Sequence, residues 1–151
     1  MRFTLIDRIE ACEPGKSLRA RKLLALGEEY LADHFPKFPV MPGVLMLEAL
    51  VEAAAWLWRA TSNYEHSVIV LREVRNVKYG TFMQPGRVMT LNVDLMKIDG
   101  GCATFKGKGT NDAGETTVAA QFVVHGYNPA DADVIAELKS HWQKRWKLLN
   151  R

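Results

Sequence analysis

The chain predicts an α+β fold in which one apolar helix lies against an antiparallel sheet. Three observations carry this. Val44 to Trp58 is almost wholly apolar apart from Glu48 and Glu52, which marks the buried central helix of a soluble fold. From Val68 onward the apolar period drops to two, punctuated by the turn signals Gln84-Pro85-Gly86, Asp99-Gly100-Gly101 and Asn111-Asp112-Ala113-Gly114. Strand-like segments therefore flank a single helix instead of alternating with helices, which favours a segregated antiparallel sheet.

Taken in order, Phe3 to Glu10 alternates weakly and reads as a strand, closed by the turn Glu13-Pro14-Gly15. Residues 17–26 return as a second strand by hairpin logic, although their composition alone favours helix. Residues 27–42 form an irregular loop rich in turn formers and aromatics, and the helix follows from about 43 to 60, stopping near Thr61-Ser62-Asn63. Strands are expected over 68–79, 88–98, 102–110 and 116–124, as a meander of three or four, with Asp99-Gly100 as a strong hairpin turn. Asn128-Pro129-Ala130-Asp131 is a loop and helix cap. Beyond it Val134, Ile135, Leu138, Trp142, Trp146 and Leu149 recur at helical spacing, with Lys139, Lys144, Arg145, Lys147 and Arg151 mostly off that stripe. The division expected is a domain over 1–127 and a helical extension over 128–151. The extension is either an amphipathic helix docked on its own sheet or on a sister subunit, or a basic, tryptophan-bearing surface for a membrane face or an acidic carrier.

The 151 residues suffice for one well-cored domain, and 48% apolar with 25% charged residues is ordinary soluble composition. A net charge of +3 is too small to indicate nucleic-acid binding. Cys12 and Cys102 are too few and too separated for a disulfide framework or a zinc site, so a reducing, cytoplasmic location is the simpler expectation. Met1-Arg2 is followed by only a short apolar stretch, which does not read as a secretory signal. The run 44–58 falls short of the ~20 residues of a membrane span and carries two glutamates, so no transmembrane segment is expected.

Chemistry concentrates in the stretch from Asp33 to Glu48. Pro36, Pro39 and Pro42 stiffen the loop that carries His34, between Phe35 and Phe38, and feed it into a helix start at Pro42-Gly43. Stiff positioning suits a general base, and an imidazole has an ordinary pKa of ~6.5 for that work. A solvated or merely structural histidine is the alternative. His66, His125 and His141 show no ligand spacing, so metal chemistry is not expected. Glu48, in its apolar run, has Val44, Leu45, Val51 and Glu52 as helical neighbours; a carboxyl so placed tends to stay protonated and can donate a proton. Its alternative is a structural ion pair with a strand arginine such as Arg72 or Arg75, and Glu52 could equally be the more exposed of the two acids. The N–H groups of Gly43 and Val44, unsatisfied at the helix mouth, favour developing negative charge. Base, acid and oxyanion site together suit removal of a proton beside a thioester carbonyl with loss of a β-substituent. Glu48 lies ~7.5 Å down the axis from Gly43, so one helix is ill placed to serve one substrate with both groups, whereas two copies meeting could.

At these residues the sequence resembles the 3-hydroxyacyl-acyl carrier protein dehydratases of fatty acid synthesis, a family of the hot-dog fold. His34-Phe35-Pro36, Pro39-Val40-Met41-Pro42-Gly43-Val44-Leu45 and Leu47-Glu48-Ala49 match the family's central motif with its interval kept. The likeness continues more weakly through Phe3 to Arg8, the Gly86 turn and the later strands, covering roughly residues 3–125. It implies a curved antiparallel sheet wrapped around the helix, and at least a homodimer, up to a trimer of dimers, with active sites shared across the interface. It further implies His34 as base on the α-carbon, Glu48 of the other subunit acting on the departing hydroxyl, and the Gly43 N–H polarising the thioester. Pro42, Val44 and Phe35 are then expected beside the substrate, an acyl carrier protein bearing a 3-hydroxyacyl thioester is the expected partner, and no metal or organic cofactor is implied. Asp33 and Lys37 stand where the family usually has glycine, and Glu52 where it usually has glutamine; these departures bear on substrate and turnover more than on fold. Two other readings remain open at this point: a non-catalytic acyl-binding or scaffolding hot-dog module, and a hot-dog thioesterase in which Glu48 activates water.

Overall fold

In the computed structural model, which describes residues 3–151, the elements run β1 (Arg8–Glu13), β2 (Ser17–Leu23), a short 3-10 turn (Glu29–Leu31), α1 (Gly43–Thr61), β3 (Val68–Tyr79), β4 (Val88–Asp99), β5 (Cys102–Thr110), β6 (Thr116–Tyr127) and α2 (Ala132–Leu149). Met1 and Arg2, on which the reading of a missing signal rests, lie outside the described residues. All six strands form one antiparallel sheet in the order β1-β2-β4-β5-β6-β3. Only β4, β5 and β6 make the expected meander. The strand that follows α1 crosses over and pairs with β6, so β3 ends the sheet as an edge.

Small residues let α1 sit close to the sheet. Ala49, Leu50, Ala53, Ala54 and Leu57 are fully buried on it, against Leu91, Val93, Phe105, Phe122 and Val124 from the strands. Phe105 and Phe122 stack with centroids 6.0 Å apart beneath this face. Gly107 belongs to the same fit: a Cβ there would stand 3.1 Å from Leu50 Cδ1 and 3.2 Å from Phe122 Cε1. The sheet curls around the helix because its buried face must cover an apolar cylinder, and the register shifts in β3 and β4 let the strands bend. The Asp99-Gly100 hairpin forms as its sequence predicts, with Gly100 at φ +60° where a side chain is disfavoured.

Two boundaries differ from the sequence reading. The first strand is Arg8–Glu13 rather than Phe3 to Glu10, because Leu5 and Ile6 are used to plug the core rather than to extend a ladder. The second ends at Leu23: Leu24 turns inward, its N–H bonding to the Arg87 carbonyl, and Leu26 is left exposed. Among the described residues no helix is long and apolar enough to cross a membrane.

The tail folds back on its own chain, its side chains packing on the outer face of α1 while the helix also touches β1 of the sheet. Asp131 caps α2 by accepting the N–H groups of Asp133 and Val134. Trp142 donates its indole N–H to the Ser67 carbonyl at 2.8 Å and meets Trp56 edge to face at 5.7 Å, while Trp146 packs on Trp56 at 6.0 Å. Arg145, expected off the apolar stripe, is half-buried and reaches Glu52 at 3.7 Å.

Candidate active site

The His34 loop is held from both ends. The buried Tyr30 and Leu31 anchor the turn before it, and the Met41 N–H bonds to the Met83 carbonyl after it. Within the loop, the His34 N–H donates to the Tyr30 carbonyl, the Val40 N–H donates to the His34 carbonyl, and Phe35 and Phe38 exchange a pair of backbone bonds. Three prolines could not have satisfied their own positions this way, so the loop's backbone bonds fall on the residues between them. The half-buried imidazole stacks on Phe35 at 4.2 Å and places Nδ1 2.9 Å from the Val40 carbonyl. A carbonyl oxygen only accepts, so Nδ1 carries the hydrogen, and in the neutral ring Nε2 keeps a free lone pair. That is the tautomer a general base requires.

Pro42 stands at the N-cap of α1, with no side-chain cap; its carbonyl accepts from the N–H groups of Leu45 and Met46. Among the described residues, no backbone carbonyl takes the N–H of Gly43 or Val44. They are the free donors at the positive end of a 19-residue helix. Gly43 is packed beside the Tyr79 ring, where a Cβ would lie 3.0 Å from Cε1. Val44 is 68% exposed and Phe35 is also open to solvent, so both present apolar surface.

Glu48 departs from its expected setting. It lies on the outer, exposed stripe of α1, not in the helix–sheet core, because the apolar run covers the sheet with Ala49, Leu50 and Ala53 and leaves Glu48 a turn away. Even so, the packing around it pushes its carboxyl above the usual glutamate value by desolvation. Neither strand arginine neutralises it: Arg75 pairs with Glu73, and Arg72 donates to the Cys102 sulfur. Glu52 is the more buried acid, the reverse of the sequence suggestion; it accepts the Leu5 N–H at 3.3 Å and pairs with Arg145. Desolvation raises its carboxyl too, and Arg145 works in the opposite direction.

A cavity of about 650 Å³ opens beside Glu48, between the outer stripe of α1, Phe3 and Leu5 of the N-terminal segment, and α2. Val44 and Leu45 stand at the mouth, Val51, Ala55 and Ile69 along the wall, and Trp56, Arg59 and Trp142 line it as well. His34 and Gly43 do not line it. A single chain thus brings Glu48 and Val44 to one cavity and leaves His34 and Gly43 outside its lining. Sequence reasoning missed Arg59, His141, Trp142 and Arg145 as cavity residues. Arg59 continues the stripe of Glu48, Glu52 and Ala55 at helical spacing, a signal present in the sequence; the α2 residues carried none, since their docking on α1 is a long-range contact.

A model of the FabA-like domain family matches residues 1–121. Among curated relatives, the 3-hydroxyacyl-[acyl-carrier-protein] dehydratase FabZ of Wolbachia pipientis wMel is 35% identical over 104 residues, covering 69% of this chain and 73% of the relative. The protein of the same name from Albidiferax ferrireducens is 41% identical over 113 residues, 73% of this chain and 75% of the relative. Among solved structures, a dehydratase heterocomplex, ApeI:P from Xenorhabdus doucetiae, superposes with a TM-score of 0.70 at 14% identity, covering 88% of this chain and 89% of that one. A hypothetical thioesterase protein with coenzyme A, from Streptococcus pneumoniae TIGR4, superposes with a TM-score of 0.58 at 13% identity, covering 82% of this chain and 88% of that one. At such identities these two structures bear on the fold alone, and that fold is the hot-dog.

Proposed function

The chain belongs to the FabA-like domain family, and on that premise we propose that it dehydrates (3R)-hydroxyacyl thioesters on acyl carrier protein to trans-2-enoyl thioesters, in fatty acid or related lipid synthesis. The observation that carries this reading is the His34 Nδ1–Val40 carbonyl bond, which leaves Nε2 as the base. In the proposed reaction Nε2 takes a proton from the α-carbon while the thioester oxygen is held by the Gly43 N–H, with Pro42, Val44 and Phe35 flanking the acyl group. The Cβ–O bond breaks as Glu48 gives its proton to the hydroxyl, which leaves as water. His34 is left protonated and Glu48 ionised, and return of the proton through water resets the pair. A thioesterase would use Glu48 on water and leave the prepared His34 tautomer without a task.

The site is completed by a second copy. His34 and Gly43 sit apart from the cavity that Glu48 lines, which supports a homodimer in which each site takes Glu48 from the other chain. The free edge of β3, with Val70, Tyr79 and nearby Phe82 exposed, is a surface suited to such pairing. A trimer of dimers is the larger assembly proposed, to be read from sedimentation equilibrium. We treat residues 128–151 as an extension appended to the dehydratase domain, and a cytoplasmic location goes with the proposed substrate.

The test is incubation with a 3-hydroxyacyl carrier protein, followed by intact mass. Interconversion with the enoyl product is expected, and its loss in both His34→Ala and Glu48→Gln. Binding without interconversion would sink the catalytic reading in favour of a scaffold, and release of free acid would favour the thioesterase.

A further inference from the structure

The cavity beside Glu48 is also lined by a buried cation, Arg59. Arg59 lies eleven residues beyond Glu48, about 16 Å along the axis of α1. It lines the same cavity and is only 5% exposed. Its guanidinium carbon stands 4.1 Å from the Trp142 ring centroid and 5.3 Å from that of Trp56. Its Nε is shielded from solvent and has no hydrogen-bond partner. Among the described residues it makes no ion pair; Glu52, whose charge it feels, is engaged by Arg145 and the Leu5 N–H. Desolvation lowers its pKa to about 10, which still leaves it charged at neutral pH.

An unpaired buried cation is costly, and stacking on two indoles offsets only part of that cost. What completes the balance is an anion, and the cavity is its route. Between Glu48 and Arg59 the wall is formed by Val51, Ala55, Ile69 and Leu5, together with Glu52, whose carboxylate is held by Arg145 and the Leu5 N–H. The space therefore has the reacting acid at one end, a largely hydrocarbon middle in which the carboxylate of Glu52 is already paired with Arg145, and the guanidinium of Arg59 at the other.

We propose that this cavity takes an acyl chain ending in a carboxylate, with Arg59 binding that carboxylate and Trp142 of α2 closing the wall beside it. This deepens the dehydratase reading and rests on it: the substrate class becomes ω-carboxy-3-hydroxyacyl thioesters, and α2 a specificity element. Arg145, on the same wall, is paired with Glu52, which leaves Arg59 as the guanidinium without an ion-pair partner among the described residues of that wall.

The experiment compares three carrier-protein substrates on the full chain: a short 3-hydroxybutyryl thioester and two long 3-hydroxyacyl thioesters of equal length, one ending in methyl and one in carboxylate. The carboxylate-ended chain is expected to exceed its methyl-ended partner in kcat/KM by at least about tenfold, because a site built to bind a polar group rejects the analogue lacking it. Arg59→Met should abolish the preference and Arg59→Lys restore part of it. Equal turnover of the two long chains, with the short one dehydrated, overturns this inference and leaves the dehydratase reading standing; no dehydration of any of the three overturns that reading instead. A binding measurement then decides the present one separately. Tryptophan fluorescence should report tighter binding of dodecanedioate than of dodecanoate; equal binding, or displacement of the diacid by an equal concentration of inorganic phosphate, overturns it.

Discussion

Replacing Trp142 with alanine tests whether α2 is an integral part of the fold. Three contacts tie the indole to residues outside α2: its N–H bond to the Ser67 carbonyl, its edge-to-face contact with Trp56, and its stacking on Arg59. A hydrogen bond lost beside a buried residue is worth about 1 kcal/mol, and an aromatic pair about 1 kcal/mol. A desolvated cation–π contact adds about 1–2 kcal/mol. Trp56 and Arg59 are shared between these contacts, so the losses do not simply add, and about 3 kcal/mol is the expected cost, at the lower end for a tryptophan truncation. For a chain of this size that lowers Tm by roughly 9 °C. The assay is urea denaturation followed by circular dichroism at fixed protein concentration, with hydrogen exchange of the α2 amides alongside. Loss of protection across α2, with the sheet amides retained, would show the helix releasing as a unit. A loss of less than about 1 kcal/mol, with α2 still protected, would refute the reasoning, because the three contacts would then not hold the helix.

Mixing His34→Ala and Glu48→Gln chains in equal amounts should restore about a quarter of wild-type activity, since half the dimers are mixed and each carries one intact site; no recovery after exchange, with dimers shown to mix, would place both groups in one chain. Gly80→Ala should cost more than about 3 kcal/mol or prevent folding, because its Cβ would collide with the Thr116 backbone carbonyl, and a soluble variant of wild-type Tm would contradict this. Asp131→Ala removes the acceptor of two N–H groups at the start of α2 and should cost about 1 kcal/mol, read as faster exchange of the first-turn amides. Burial raises the Glu48 carboxyl above its unfolded value, so its favourable contribution is full below the unfolded pKa and is lost as pH rises through the folded one. Glu48→Gln should accordingly gain Tm relative to wild type as pH moves from about 4 to 7, and a difference that narrows over that range would show the shift to have the opposite sign.

Period, turn residues and motif spacing fix the class of fold and single out the candidate site residues that lie close together in the chain. Helix α1, the turns at Gly86, Gly100 and Gly114, and the run from His34 through Gly43 are written in period, glycine and proline placement, all of which act within a few residues. The family motif sits in that same run, and so His34 and Gly43 are legible without coordinates. Glu48 was legible as an acid on the helix but not in its exposure, since which stripe of an apolar helix faces the sheet depends on where alanines permit close approach. The order of strands was not legible either: β3 pairs with β6 across a long loop of chain, a choice made by what α1 leaves uncovered. Nor could spacing show that Glu52 belongs with Arg145 rather than with catalysis, or that Arg59 ends a cavity between two tryptophans. Those arrangements exist only because α2 folds back on α1. Contacts between residues so distant in the chain are fixed by packing, and only the tertiary structure decides them.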